Sequence, residues 1–201
     1  MVDEDVVCLS PSSVYRILDK HDLLYRWKRS TSAGTKPPQP QAPDQRWHTD
    51  ILYLWVMSRW YFLVTVLDAL SRYIVHWKLL FAMTDKEVVD VVEEALEKTP
   101  GAKPEVVSDC GSQFTGREFR QLIKRHMLVE IKTRRQHLES NGLIERYHRS
   151  FREEGVGENT PSDYYQACEL IASWVDYYNH HRFHSALKYL RPIDYYRGNP
   201  E

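Results

Sequence analysis

Three carboxylates are distinguished by their neighbours. Asp109 follows the apolar pair Val106-Val107 in VVSDCGSQF, where a short buried strand would end. Glu145 lies in NGLIERYHRSF with thirty-five residues between it and Asp109, and Asp50 lies upstream in RWHTDILYLWV. An acid in an apolar strand is costly unless it is paired or bound to a cation. Three acids gathered at one place repel each other, and hard divalent cations, which take oxygen ligands, relieve that repulsion. The chemistry open to such a set is displacement at a phosphodiester, with two ions about 3.5–4 Å apart stabilising the entering and leaving oxygens. Asp109 at the centre, with Asp50 on one side and Glu145 near the other, would serve that scheme.

The elements that must carry these acids follow from periodicity. At about 100° per residue, Asn141, Glu145, His148, Arg149 and Arg152 share one face of a helix, and Leu143, Ile144, Tyr147 and Phe151 share the other. The Asn-Gly pair before Glu145 reads as the helix start. Trp47–Val56, Tyr61–Asp68 and Tyr73–Leu80 are β-rich runs separated by short breaks, which suits an antiparallel meander. Asp68 competes with Asp50 as a functional acid, but it ends a strand before a turn, where Asp commonly holds the chain. Thr84–Lys98 predicts an amphipathic helix with a Thr84/Glu87 capping box and a solvated acidic face of Asp85, Asp90, Glu93, Glu94 and Glu97. Glu105–Ser108 is a fourth strand delivering Asp109, Gly111–Gly116 a turn, Arg117–His126 a helix and Met127–Lys132 a fifth strand. Phe114 is assigned to the core. Thr133–Ser140 reads as a polar loop in which Arg134 and Arg135 are placed to meet phosphates. Gly155–Thr160 reads as a flexible break. In the last helix, Pro161–His181, a stripe of Tyr164, Cys168, Ile171, Val175 and Tyr178 should face the core. His180, His181 and His184 have ligand-like spacing but no acid or cysteine to complete a metal site. Asn179, Arg182 and His184 are expected either to contact nucleic acid or to seal the tail to the core.

At the other end, Leu9–Arg29 reads as a helix capped by Ser10 with Pro11 at its first position. Arg16 is its candidate phosphate contact. Ser30–Gln45, with four prolines and no large apolar residue, reads as a linker. The bulk numbers are those of a globular chain: 201 residues, a net charge of −1, thirteen Tyr and six Trp. No apolar run approaches a membrane span and the N-terminus is acidic, so cytoplasmic residence, associated with the nucleoid, is expected. Three scattered cysteines make neither a zinc pattern nor a disulfide framework.

WHTDI, VLDALSRYIVHW, SDCGSQF and SNGLIERYHRS, in that order, resemble the integrase core of insertion-sequence transposases, members of the DDE superfamily with the retroviral integrases. The likeness runs from about Trp47 to about Phe151, and YYNHHRFHSALKYLRPIDYY extends it weakly to about Tyr196. It implies a ribonuclease H-like α/β fold: a five-stranded mixed sheet flanked by helices, with a short N-terminal helical arm and a C-terminal helix. The implied layout is a partial helix-turn-helix-like DNA-binding arm over 1–29, a linker over 30–46, the catalytic core over 47–155 and a helical tail over 156–201. Asp50, Asp109 and Glu145 become catalytic acids holding two Mg²⁺ or Mn²⁺ ions. Arg16, Arg134, Arg135, Asn141, His148, Arg149 and Arg152 become DNA contacts. The implied activity is cleavage of mobile-element ends and their transfer into target DNA by a homo-oligomer. Cys110, Leu138-Glu139 and the short N-terminus depart from the family pattern. They leave open a silent DNA-binding or assembly subunit, as a ribonuclease H-like nuclease is left open by the shared fold.

Overall fold

In the computed structural model, residues 10–21, 38–132, 138–156 and 161–198 are described. The chain divides into two units, Met1–Thr35 and Lys36–Glu201. The described part of the first is helix α1, Pro11–Lys20. Ser10 caps it, its Oγ accepting from the Ser13 N–H at 3.2 Å, with Pro11 in the first turn. It ends nine residues before the expected Arg29, and residues 22–29 lie outside the described part.

The second unit is built on one five-stranded sheet. Its strands are β1 (Arg46–Val56), β2 (Arg59–Asp68), β3 (Ile74–Leu80), β4 (Glu105–Ser108) and β5 (Val129–Lys132), in spatial order β3-β2-β1-β4-β5. β1, β2 and β3 form the expected antiparallel meander. β4 joins β1 in parallel and β5 joins β4 in parallel. Parallel neighbours need long crossovers. Helix α2 (Asp85–Lys98) lies in the first crossover, and α3 (Ser112–Thr115) and α4 (Arg117–Arg125) fill the second. α3 occupies part of what the sequence suggested was a plain turn.

Both faces of the sheet are covered, which is why its strands read as nearly continuous apolar runs. On one face Trp47, Ile51, Val64 and Val66 pack with Val88, Val91, Val92 and Ala95 of α2 and with Phe114, Phe119 and Leu122. The α2 positions recur at three and four residues, the spacing of a single helix stripe. Thr84 and Glu87 form the capping box reciprocally. The acidic face of α2 is less solvated than expected, since Glu94 pairs with His76 and Lys78, and Glu93 pairs with Arg125.

On the opposite face Leu52, Val56, Leu63 and Leu67 meet α5 (Leu138–Ser150) and α6 (Tyr164–His180). α5 contributes Ile144 and Tyr147, and Phe151 follows at the head of a π-helical turn, Phe151–Val156. α6 contributes Ile171, Val175 and Tyr178, with Tyr164 and Cys168 packed at the margin, so the stripe read from sequence is the one that docks. Asn179 fastens α6 to the edge strand: its Oδ1 accepts from Ile74 N–H at 2.9 Å and its Nδ2 donates to Ile74 C=O at 3.1 Å. Of the break expected over Gly155–Thr160, residues 157–160 lie outside the described part, and Gly155 itself is closely packed. A Cβ there would stand 2.8 Å from the Trp174 ring and 3.0 Å from Phe151, so glycine lets this turn press against α6. A short helix α7 (Pro192–Tyr196) closes the fold, with Tyr196 stacked on Tyr73 and its hydroxyl donating to Asp44 at 2.8 Å. Among the described residues no helix is long and apolar enough to cross a membrane.

A candidate carboxylate site

Asp50 and Asp109 meet because of strand register. β1 and β4 run parallel with Arg46 opposite Glu105, Trp47 opposite Val106 and His48 opposite Val107. Carried forward, the same offset sets Asp50 level with Asp109, just past the end of β4. This is the carboxyl end of a parallel strand, where open α/β sheets form their crevices. Asp50 follows the alternation of Leu52 and Val56, so it stands on the face that receives α5.

Glu145 is brought there by the docking of α5. Asp50 pairs across the antiparallel ladder with Thr65, and the buried Thr65 hydroxyl lies 3.0 Å from the Tyr147 hydroxyl. Tyr147 is two residues from Glu145. The same cross-strand position therefore carries the first acid and pins the helix of the third. Asp50, Asp109 and Glu145 line one recess, with His48, Thr49, Val107, Ser108 and Ile144.

Burial pushes the Asp50 carboxyl up to about 6, and Asp109 and Glu145 each push it further in that direction, while the Ile51 N–H opposes them. The Asp50 carboxyl thus feels both other acids. Asp50 Oδ1 accepts from Ile51 N–H at 2.8 Å, and Asp109 Oδ1 accepts from Gly111 N–H at 2.8 Å. A Cβ on Gly111 would sit 2.9 Å from that Asp109 oxygen, so the close loop requires glycine. Among the described residues no three His, Cys, Asp or Glu side chains stand close enough to hold a single ion as they are. The recess instead offers carboxylates spread around it. That donor set fits hard divalent cations whose remaining ligands are water, each ion touching fewer than three side chains.

Two histidines wall the site as neutral rings. Burial lowers His48 to about 4, helped by Arg72 and Arg46. Burial lowers His148 to about 4, helped by Arg152. His148 Nδ1 is 3.8 Å from Asp50 Oδ2, too far for a hydrogen bond, and with a neutral ring the contact is no ion pair. The sequence placed His148 with the outward DNA contacts, but its side chain is only 12% exposed and lies against Asp50. Of the other expected contacts, Arg16 is exposed on α1 with Nη2 donating to Ser13 at 3.4 Å, Arg152 is exposed and Arg149 is half-buried. Arg134, Arg135 and the side chain of Asn141 lie outside the described part of the structure. α5 begins at Leu138, before the expected Asn141-Gly142 start. Asp68 is wholly buried and accepts from Ser71 N–H and Oγ and from Asp44 N–H, the turn role its position suggested. Arg146, one residue past Glu145, was not singled out by the sequence, because it belongs to neither face of the two-face reading.

Comparison with known proteins bears on the family and the fold. Two family descriptions, both integrase core domain, match residues 40–136 and 130–192. The transposase for insertion sequence element IS904 of Lactococcus lactis is 25% identical over 186 residues, covering 87% of this chain and 74% of that protein. Transposase InsD for insertion element IS2A/D/F/H/I/K of Escherichia coli is 28% identical over 200 residues, covering 94% of this chain and 66% of that protein. The chain spans only 54% of a relative from element IS150 of Escherichia coli K12, at 24% identity. Among solved structures, the HTLV-2 integrase catalytic core domain in complex with magnesium superposes with a TM-score of 0.64 at 15% identity, covering 78% of this chain and 98% of that one. A chain of the simian T-cell lymphotropic virus intasome superposes with a TM-score of 0.67 at 15% identity, covering 79% of this chain and 56% of that one. The fold is ribonuclease H-like, and the chain belongs to the integrase core family of the DDE transposases and retroviral integrases.

Proposed function

We propose that the chain is the catalytic core of a DNA strand transferase that cleaves mobile-element ends and joins them to target DNA. The observation that carries the reading is the convergence of Asp50, Asp109 and Glu145 on one recess, each from a different element. Two Mg²⁺ or Mn²⁺ ions would be held there by Asp50, Asp109 and Glu145. When bound, they would supply charge neutralisation at the entering and leaving oxygens of an in-line displacement. Asp50 brings its carboxylate into a partly buried position where ionisation is unfavourable on its own. The Thr65–Tyr147 contact holds Glu145 at the level of Asp50, and Gly111 lets Asp109 turn back onto its own loop. His48 and His148, held neutral by burial, do not compete with the cations for the carboxylates as an imidazolium would.

Relatives named as transposases support the same reaction, and the presence of all three acids weighs against a silent subunit. The HTLV-2 core is described in dimeric and trimeric forms, which supports a homo-oligomer on DNA. Such a protein would work on DNA in the cytoplasm, associated with the nucleoid. Arg16, Arg134, Arg135, Asn141, Arg149 and Arg152 stay as proposed DNA contacts. The arm at 1–29, linker at 30–46, core at 47–155 and tail at 156–201 stay as the proposed layout.

The test is branched DNA resembling a joined product, given to wild type and Asp109→Asn with Mg²⁺ and with Mn²⁺. Metal-dependent strand release by wild type alone supports the proposal. Equal release by both proteins, or none by a folded wild type that binds the DNA, overturns it.

A further inference from the structure

A second cluster, of opposite sign, lies beyond the His48 wall of the carboxylate recess. Arg72 sits in the β2–β3 turn with a φ of 65°, a left-handed conformation that is strained for a non-glycine residue. Its Nη1 donates to Ala69 C=O at 2.8 Å, which folds the side chain back over the turn. Two residues on, Ile74 is gripped by Asn179, so this turn abuts the end of α6. There Arg182 lies over the Tyr178 ring at 5.8 Å and 3.3 Å from His184 Nε2, and the His184 ring meets Tyr178 edge-on at 4.7 Å. Arg182 also donates to Ser150 Oγ at 3.3 Å on α5. Arg146 is one helical turn before Ser150, on the same side of α5. Three elements thus deliver Arg72, Arg146 and Arg182 around Tyr178 and His184.

The charges do not balance. Glu154 takes both Arg182 donors at 2.6 Å and neutralises that guanidinium. Asp68 faces Arg72, but its oxygens are committed to Ser71 and Asp44 and burial biases it toward the neutral acid. Arg146 is exposed and has no carboxylate in ion-pair reach among the described residues. The fields of Arg182, Arg72 and Arg146 all act on His184, which burial and these charges lower to about 4. Arg72 acts on His48 as well, and His48 lines the recess of the three acids. Arg146 also follows Glu145 directly on α5, and Glu145 lines the recess, so the positive cluster borders the carboxylate site.

We propose that Arg72 and Arg146, beside His184, form a subsite for a backbone phosphate of the DNA strand that passes through the carboxylate recess. This rests on the proposed function for the choice of DNA as ligand. A phosphodiester supplies the anion the cluster lacks, and an arginine matches its oxygens in a bidentate manner. The acids repel phosphates and the arginines attract them, so the pair of sites would fix where along the strand the reacting bond stops.

Binding is tested separately from chemistry, on the full chain in EDTA with fluorescent branched DNA across a KCl series. Arg146→Gln should bind several-fold more weakly at 100 mM salt and lose about one from the slope of log Kd against log salt, the signature of one phosphate contact. Arg146→Lys should restore most of that slope. Lys86→Gln, exposed on α2 at the other face of the sheet, controls for net charge and should leave the slope as in wild type. Replacing single phosphates by neutral methylphosphonate should reveal one position that weakens wild type and adds nothing to Arg146→Gln. A wild-type slope in folded Arg146→Gln, or a loss matched by Lys86→Gln, overturns the subsite. A protein inert toward branched DNA that still shows the slope loss keeps the subsite and loses the proposed reaction.

Discussion

Asp50→Asn should make the metal-free protein more stable while ending its chemistry. The Asp50 carboxyl moves from an ordinary 3.8 to about 6 on folding. At about 1.4 kcal/mol per pH unit, ionised Asp50 therefore destabilises the folded state by up to roughly 3 kcal/mol. The sign follows from linkage. The folded value lies above the unfolded one, so the folded protein holds the proton more tightly. Stability from this group is full below pH 4 and is lost as pH rises through about 6. Asn at this position has no charge to lose, and its Oδ1 can still accept from Ile51 N–H. Because the side chain retains 29% of its exposure, solvent screens part of the effect, and a gain of about 1–2 kcal/mol is expected at pH 8. For a chain of this size that is roughly 2–8 °C in Tm.

The assay is thermal melting of wild type and Asp50→Asn in EDTA at pH 8, pH 6 and pH 4.5. The mutant should lead at pH 8 and the gap should narrow steadily toward pH 4.5. Adding Mg²⁺ at ten times its Kd should raise wild type by about 1.4 kcal/mol and the mutant by much less. A mutant that melts no higher than wild type at pH 8, or a gap independent of pH, refutes the claim that burial and the neighbouring acids disfavour ionised Asp50 when metal is absent.

Two further outcomes check how the site is held. Tyr147→Phe leaves the buried Thr65 hydroxyl without its partner at 3.0 Å and should cost about 1–2 kcal/mol by urea titration. Thr65→Val added to it should recover part of that loss, and strand release should fall more than DNA binding because Glu145 loses its anchor. Gly155→Ala should lower stability by about 1–3 kcal/mol, since its Cβ would meet Trp174 at 2.8 Å. An unchanged melt would restore the reading of this stretch as a flexible break.

What could be read from the sequence was what period and chemistry encode directly. Strand alternation placed Asp50, Val106-Val107 announced the strand that delivers Asp109, and the two faces of α5 set Glu145 opposite Ile144 and Tyr147. The Thr84 capping box and the α6 stripe were equally local signals. The misreadings share one cause, which is that each depended on a partner distant in the chain. Gly155 looked like a break because its reason is the Trp174 ring, nineteen residues on. His148 shared the helical angle of Arg149 and Arg152, but it sits at the edge of the docked face, so contact with Asp50 decided its burial. Arg146 was passed over because an arginine beside a polar face looks like solvated charge until Arg72 and Arg182 are seen around it.

These dependences bear on how the chain is divided. Glu145 is held by α5, α5 is held by Thr65 below and by Trp174 and Tyr178 of α6 beside it, and α6 is fastened to β3 through Asn179. The C-terminal helix is thus structurally upstream of the third acid. A shear of α6 by even an ångström would move Tyr147 before it moved either aspartate, because both aspartates belong to the sheet. Asn179→Ala should therefore remove two buried hydrogen bonds, cost about 2–3 kcal/mol, and depress strand release through Glu145. Metal affinity reported through Asp50 and Asp109 would change little. If metal affinity and strand release instead fall in parallel, the third acid is not the member that α6 positions, and the recess responds as one rigid unit.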